Sequence, residues 1–193
     1  IVMNQVYAQP QASFTMDSAT SCAGNTVQFT SNSTAANSSI QTYYWDFGDG
    51  TPVQMDTDNQ ISYIYTIPGT YQVRHWAVSP QGCMSDTMTQ TVTVVPLPTA
   101  SFTNSTPACQ GSTITFTSTS TPGAGSITTY NWSVNGTPTG GNSNVITYTP
   151  TAAGNITVQL TVTTNNGCTH TVTQTINVNA RPVANFNFTG ACL

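Results

Sequence analysis

The sequence predicts an all-β protein built from two tandem immunoglobulin-like β-sandwich domains plus the first strand of a third. Short runs of β-branched and aromatic residues alternate with polar residues at period two, and turns rich in Gly, Pro and Asn separate them. No segment has a helical period. The chain also repeats on itself, because Cys22 and Cys109, like Trp45 and Trp132, lie 87 residues apart. Regularly spaced short strands in a repeat of this length are typical of a sandwich with about seven strands.

The strands can be placed in order along the two repeats. We predict strands near residues 11–17, 25–31, 40–47, 60–66, 70–79 and 86–95, and again near 99–104, 112–119, 126–134, 143–149, 154–164 and 169–178. The predicted domains are therefore residues 11–96 and 97–180. The joint Pro96-Leu97-Pro98 is short and stiffened by proline, which predicts a semi-rigid connection.

Both ends of the chain carry segments outside these two repeats. Residues 1–10 form a mildly apolar extension, which we interpret as a strand for a neighbouring chain. Residues 181–193 contain Val183-Ala184-Asn185-Phe186, similar to Ala12-Ser13-Phe14 at the start of the first repeat. We interpret this segment as the opening strand of a third repeat or as a strand donated to a neighbour.

Composition excludes several classes of function. Only 4% of the residues are charged, with no Lys and no Glu, so nucleic-acid binding is excluded. No apolar stretch approaches the roughly eighteen residues of a membrane helix, so no membrane span is expected. Hydroxyls, amides or attached sugar must solvate such a surface, whereas a typical domain has about 25% charged residues.

One stretch carries a family resemblance. The run Trp45-Asp46-Phe47-Gly48-Asp49-Gly50-Thr51, followed by Tyr63-x-Tyr65 and by Pro68-Gly69-Thr70-Tyr71, resembles the polycystic kidney disease (PKD) repeat. The resemblance is most specific in residues 11–95. It implies an immunoglobulin-like module of cell-surface or secreted proteins, and therefore an extracellular or cell-surface location.

The same stretch can be explained as a turn. Trp45 and Phe47 are two residues apart and should both point into the core, whereas Gly48 and Gly50 permit positive φ. In this interpretation the nearby aspartates accept turn N–H groups. The alternative is a calcium site, for which four carboxylates lie within a short span: Asp46, Asp49, Asp56 and Asp58. The second repeat has no counterparts of the motif aspartates Asp46 and Asp49, so a metal ion is not expected there.

The cysteines recur at equivalent places in the two repeats. We therefore predict disulfides Cys22–Cys83 and Cys109–Cys168, each within one repeat, and an oxidising compartment. Cys192 is left over and can bond a following domain, bond a neighbouring chain, or remain a thiol. The spacing does not match a zinc site.

The sequence contains candidate sites for attached sugar. Seven asparagines lie in N-x-S/T sequons: Asn32, Asn37, Asn104, Asn131, Asn135, Asn155 and Asn187. Asp17-Ser18-Ala19 and Asp86-Thr87-Met88 resemble the O-glycosylation pattern of Bacteroidetes surface proteins, which makes Ser18 and Thr87 candidate sites.

The strand near 70–79 departs from its counterpart in the second repeat. His75 falls in a core position, where we expect it to be hydrogen-bonded and not catalytic. Arg74, Trp76 and Val78 fall on the outer face, where we expect either an interface or a cover of loop or sugar.

These observations favour a structural protein over an enzyme. No activated nucleophile, acid/base pair or G-x-S-x-G motif is present, and no cofactor is expected apart from the calcium alternative. We expect an extracellular repeat protein that self-associates as a subunit or segment of a glycosylated filament or stalk. The alternative is an adhesin domain or a carbohydrate-binding accessory module of a secreted protein.

Overall fold

The computed structural model describes residues 6–187 and 189–190, and it is an all-β structure. The chain divides into two compact units, Ile1–Leu97 and Pro98–Leu193, close to the predicted boundary. Each unit consists of two packed sheets, so the predicted class of tandem immunoglobulin-like sandwiches is confirmed. We call residues 96–98 the linker.

The described residues of the first domain form eight strands. They are β1 (Phe14–Met16), β2 (Thr20–Cys22), β3 (Thr26–Ser31), β4 (Thr42–Asp46), β5 (Gln54–Asp56), β6 (Gln60–Ile64), β7 (Gly69–Val78) and β8 (Met88–Val95). One sheet has the order β1-β3-β6 and the other the order β2-β8-β7-β4-β5. Only the β2–β8 pairing is parallel.

In the second domain, the part of the chain that the structure describes forms seven strands. They are β9 (Phe102–Asn104), β10 (Ile114–Ser118), β11 (Ile127–Val134), β12 (Thr137–Thr139), β13 (Val145–Tyr148), β14 (Gly154–Thr164) and β15 (Thr169–Val178). Their sheets have the orders β13-β10-β9 and β12-β11-β14-β15. The short strands β2, β5 and β12 are missing from the sequence-based prediction.

Each domain closes over its own apolar core, which the alternating strands supply. In the first domain Phe14 meets Trp45 edge-on, with ring centroids 5.3 Å apart, and Phe29 lies beside both. In the second domain Phe102 and Trp132 repeat this contact at 5.2 Å. The aromatic contacts between facing sheets therefore recur at equivalent positions, and such pairs add about 0.5–1.5 kcal/mol each beyond their burial.

The predicted cysteine pairing within each repeat is wrong. Cys22 and Cys168 are disulfide-bonded, whereas their predicted partners Cys83 and Cys109 are free thiols in the part of the chain that the structure describes. In the first domain Cys22 lies opposite Val95, at the end of the sheet where β7 begins, and Cys83 follows the other end of β7.

The length of β7 gives the physical reason for this error. Its ten residues span about 30 Å, whereas the Cα atoms of a disulfide lie within about 7 Å. The second domain repeats the geometry. Cys109 pairs with Asn179 just beyond one end of β15, and Cys168 immediately precedes the other end. Recurrence showed that the cysteines are equivalent, but it did not show that they lie at opposite ends of each domain.

Residues 181–187 and 189–190 lie outside both sandwiches and have no regular secondary structure. Phe186 is 86% exposed, although its counterparts Phe14 and Phe102 are only 2% and 3% exposed. Val183 is 89% exposed. At the other end, residues 1–5 of the predicted N-terminal extension lie outside the described residues, and residues 6–10 form no strand.

Candidate functional site

The outer face of the first domain's larger sheet carries an aromatic platform. Alternation along β7 buries Val73, His75 and Ala77 and turns Arg74 and Trp76 outward, as predicted. Trp76 lies opposite Tyr44 of β4 in the register, and their rings stack with centroids 5.4 Å apart and planes 4° from parallel.

The platform extends over a third strand. Met55 of β5 lies opposite Tyr44, and its side chain is 69% exposed. We call Met55, Tyr44 and Trp76 the aromatic platform. Val78, the other predicted interface residue on β7, is half-buried and lies opposite Thr42. An apolar row across three adjacent strands is a surface on which a flat apolar or sugar face can rest.

The equivalent positions of the second domain do not carry an aromatic pair. Its equivalents of Tyr44 and Trp76 are Asn131 and Thr161, which are also paired in the register. The two domains share their core and differ on this face, so the aromatic pair is not a requirement of the fold. The prediction identified Trp76 but missed Tyr44. Its place on the outer face follows from the inward orientation of Trp45 and Phe47.

A salt bridge borders the platform. Arg74 Nη1 lies 3.7 Å from Asp46 Oδ2, between paired residues of β7 and β4. The pair is partly exposed, so it adds little to stability. It fixes a guanidinium and a carboxylate beside the aromatic rings.

The aspartates of the motif accept hydrogen bonds that organise turns. Asp46 Oδ1 accepts the Gly48 N–H at 2.9 Å, and Asp49 Oδ1 accepts the Thr51 N–H at 3.1 Å. Asp56 Oδ1 accepts the Asp58 N–H in the same way. Within the described residues, no group of three or more His, Cys, Asp or Glu side chains gathers where a metal ion could bind. The cluster that the calcium alternative required is therefore not formed.

The Asp49 side chain is also hydrogen-bonded to β6. Its carboxylate accepts the hydroxyl of Tyr63 at 2.6 Å and that of Thr51 at 2.7 Å. Partial burial would raise the pKa of this carboxyl, but the hydrogen bonds from Tyr63 and Thr51 outweigh it and hold the pKa below its usual range. The Tyr63 ring lies on Phe47, with centroids 3.8 Å apart, so the turn is fastened to the core.

His75 is a buried histidine with both ring nitrogens satisfied. Nδ1 donates to the Tyr44 carbonyl at 3.0 Å, which leaves Nε2 to accept from one of the two hydroxyls beside it, those of Ser31 at 2.9 Å and Ser33 at 3.0 Å. Its ring stacks on Trp45 at 4.0 Å. Burial lowers the pKa of His75 to about 4, although the hydrogen bond to Tyr44 opposes this shift. The predicted core role is confirmed.

This shift predicts a pH dependence of stability. Unfolded histidine has a pKa near 6.5, so between about 6.5 and 4 the unfolded chain binds a proton that the folded chain does not. The free energy of unfolding of the first domain should fall by at most about 3 kcal/mol as the pH is lowered through this range. We expect His75→Leu, which installs the residue found at Leu160 in the second domain, to remove this component.

The measurement is urea unfolding of both proteins at about pH 7 and about pH 4.5. Carboxylates contribute equally to both curves, so the difference between them isolates His75. An equal loss of stability in the parent and the His75→Leu variant would contradict the assignment.

The predicted glycosylation sites lie on the surface. Six of the sequon asparagines are exposed and Asn104 is half-buried, and Ser18 and Thr87 are exposed as well. Asn135 is the one described non-glycine residue with positive φ, and its Oδ1 accepts the Thr157 N–H at 2.9 Å. Accessibility is necessary for attachment, and use of these sites stays a prediction.

Comparison with known proteins identifies the family. The PKD domain model matches residues 7–94 and again residues 95–186. The chain therefore belongs to the PKD domain family and contains two copies of the domain. A comparison with curated proteins finds no match.

Among solved structures, the chain is similar to the PKD1 domain of the Vibrio cholerae metalloprotease PrtV, with 30% identity, a TM-score of 0.37, and coverage of 45% of this chain and 98% of that one. It is also similar to the PKD1 domain of Vibrio anguillarum Epp, with 28% identity, a TM-score of 0.38, and coverage of 46% and 96%. The fibronectin(III)-like modules of Clostridium thermocellum CbhA match at 16% identity and a TM-score of 0.47, with coverage of 92% and 100%.

No helix among the described residues is long and apolar enough to span a membrane. The domain family and the disulfide-bonded cysteines agree with an oxidising, extracellular setting.

Proposed function

We propose that this chain is an extracellular structural repeat protein, a subunit or segment of a self-assembling, glycosylated filament or stalk. The observation that carries the proposal is the exposed segment of residues 181–187. It has the sequence of an opening strand, and the phenylalanine that both domains bury is exposed in it. A strand of this kind satisfies its backbone groups and buries its apolar side chain only by joining a further sheet.

The acceptor must lie outside the two described domains or be an open edge of one of them. The place of an opening strand is already filled in each domain, because β1 pairs with β3 and β9 pairs with β10. Several sheet edges are formed by uncharged strands, of which β15 is the longest with ten residues. Donor and acceptor surfaces differ, so the contact is heterologous and propagates along a filament.

Deletion of the terminal segments tests the proposal. We expect the parent chain to form larger species in sedimentation velocity as its concentration rises, and the chain lacking residues 181–193 to remain monomeric. The chain lacking residues 1–9 is the matched control for the loss of a terminus. Association that survives the deletion of residues 181–193 would contradict strand donation by this segment.

The near absence of charge supports the glycan part of the proposal. With 4% charged residues and exposed sequons, the surface lacks the charge that keeps most proteins in solution, and attached sugar would supply that solubility. We expect native material to have an intact mass above the 20.4 kDa of this chain. A digest of that material should place sugar on exposed Asn, Ser or Thr residues. An unmodified mass for these residues would contradict this part of the proposal.

A second candidate, a carbohydrate-binding or adhesin module, is favoured by the aromatic platform. Stacked aromatic rings bordered by a charged pair suit a sugar ring, which presents a C–H face and hydroxyl edges. Titration with soluble polysaccharides, followed by tryptophan fluorescence, tests this candidate. Binding should be lost in Trp76→Thr, which installs the residue at the equivalent position of the second domain. A variant that binds as well as the parent would eliminate this candidate.

A further inference from the structure

The last strand of the second domain has an open outer edge. β15 is the end member of the sheet β12-β11-β14-β15, so among the described strands only β14 pairs with it. This pairing continues without a register shift from Gly154 opposite Val178 to Thr163 opposite Thr169. β15 also contains no proline and no Asp, Glu, Lys or Arg. It therefore lacks the bulge, the proline and the charged side chains that commonly protect an edge strand from further pairing.

The hydrogen-bond pattern shows which backbone groups of β15 face this edge. The Thr164 N–H donates to the Cys168 carbonyl at 2.9 Å, so these two opposite residues form a hydrogen-bonded pair. In an antiparallel ladder such pairs alternate with pairs that are not hydrogen-bonded. The even-numbered residues of β15 therefore bond to β14, and the N–H and carbonyl groups of the odd-numbered residues point away from it. Along the open edge these residues are Thr169, Thr171, Thr173 and Thr175.

The first domain shows that the corresponding edge of this fold accepts a strand. There β8 corresponds to β15, and β2 pairs with β8 in parallel over residues 93–95. The Thr93 N–H donates to the Ala19 carbonyl, and the Val95 carbonyl accepts the Ala23 N–H, both at 2.9 Å. Beside β15, the described residues of the second domain supply only a single bridge, at Asn179 beyond the end of the strand. The edge itself is left unpaired.

Apolar side chains lie along the inner face of this edge. Val172 and Ile176 pack against the core of the second domain but are only half-buried. Val92, the counterpart of Ile176 in the first domain, is 0% exposed. A strand added beside β15 with apolar side chains on its inner face would cover Val172 and Ile176, and their burial would favour the addition.

The exposed segment of residues 181–187 has the side chains that such a strand requires. Alternation along a strand places Ala184 and Phe186 on the same face. Phe186 is 86% exposed in the single chain. Side chains on one face of neighbouring strands lie directly opposite each other, so Phe186 of an added strand can lie against Val172 or Ile176. The addition would bury apolar groups on both sides and pair the backbone groups of both strands.

We propose that residues 183–187 of one copy of this chain add as a strand to the outer edge of β15 in a second copy, with Phe186 turned inward. This inference rests on the proposed function and names the acceptor of its donated strand. Each copy then has one donor segment and one acceptor edge, so the contact propagates. Pairing of two β15 edges with each other is the rival arrangement, and it would leave Phe186 exposed and close a dimer.

Amide hydrogen exchange resolved by peptide tests the acceptor edge in the parent chain. Exchange is compared at a dilute, monomeric concentration and at a concentration where the chain associates. We expect exchange to slow on association in peptides from β15 and from residues 181–187, and to stay unchanged in peptides from β8. Slower exchange in residues 181–187 without a change in β15 would place the donated strand elsewhere. Slower exchange in β15 alone would indicate that β15 pairs with itself. Either result would overturn the inference.

Thr173→Pro provides a second test, because it removes one outward N–H and leaves the bonds to β14 in place. In sedimentation velocity we expect this variant to need a concentration about tenfold higher than the parent chain to associate. Thr89→Pro is the matched control, since Thr89 holds the corresponding position on β8, and it should associate like the parent. Urea unfolding of both dilute variants checks that their domains remain folded.

The outcomes separate this inference from the proposed function. Association of Thr173→Pro at the same concentration as the parent would overturn the assignment of β15 as the acceptor, and the filament proposal would stand. A parent chain that stays monomeric at every concentration would overturn both. If Thr173→Pro fails to fold, the exchange measurement on the parent chain decides the question by itself.

Discussion

Replacement of Phe102 by alanine is expected to lower the free energy of unfolding of the second domain by about 4 kcal/mol. Phe102 is buried, and its ring meets those of Phe116 at 6.0 Å and Trp132 at 5.2 Å, both near right angles. The substitution leaves a cavity between the two sheets and removes two aromatic contacts. Urea unfolding of the dilute, monomeric chain measures the loss.

Phe186→Ala is the matched control, because Phe186 holds the same place in the repeat but is exposed. In the dilute chain this change should shift stability by less than about 0.5 kcal/mol. At concentrations where the parent associates, Phe186→Ala should weaken association, because in the proposed assembly Phe186 is buried only by an adjoining sheet. A large effect on the monomer, or none on association, would contradict the role proposed for residues 181–187.

Gly48→Ala is expected to destabilise the first domain by about 3 kcal/mol. Gly48 has φ of 73°, and a Cβ built there would lie 2.5 Å from the Gln72 carbonyl oxygen of β7. The left-handed conformation costs a residue with a side chain about 1–2 kcal/mol, and the clash with fixed backbone adds a similar amount.

Gly50→Ala separates these two contributions. Gly50 has φ of 85° but no atom within 4 Å of a built Cβ, so its substitution should cost only about 1–2 kcal/mol. Amide hydrogen exchange resolved by peptide measures both variants, with the second domain as an internal reference. Equal losses for the two variants would show that the approach to Gln72 does not limit this position.

Most of the fold could be predicted from the sequence because period-two alternation reports directly on burial. The outward placement of Trp76 and the core placement of His75 both followed from one comparison of β7 with its counterpart in the second repeat. The positive φ of Gly48 and Gly50 followed from the turn chemistry of the motif.

The cysteine pairing could not be predicted in the same way. Recurrence of residue types identifies equivalent positions, but the distance between Cys22 and Cys83 depends on the direction and length of β7 between them. The geometry of the candidate calcium ligands could not be predicted for a related reason. Proximity of four aspartates in sequence does not bring their carboxylates together, because each motif carboxylate is already used by a nearby backbone N–H.

The aromatic platform could be predicted from the sequence only in part. Tyr44 was predictable as an outward residue from the inward orientation of Trp45, but its stacking with Trp76 depends on the register between β4 and β7. That register is a tertiary property, which the alternation of one strand does not contain.

Electron microscopy of the purified chain tests whether it assembles into the filament that we propose. The chain should be incubated at graded concentrations in glutathione redox buffer, beside the variant that lacks residues 181–193. We expect filaments of uniform width from the parent chain and isolated particles from the variant. Isolated particles from the parent chain at every concentration would contradict it.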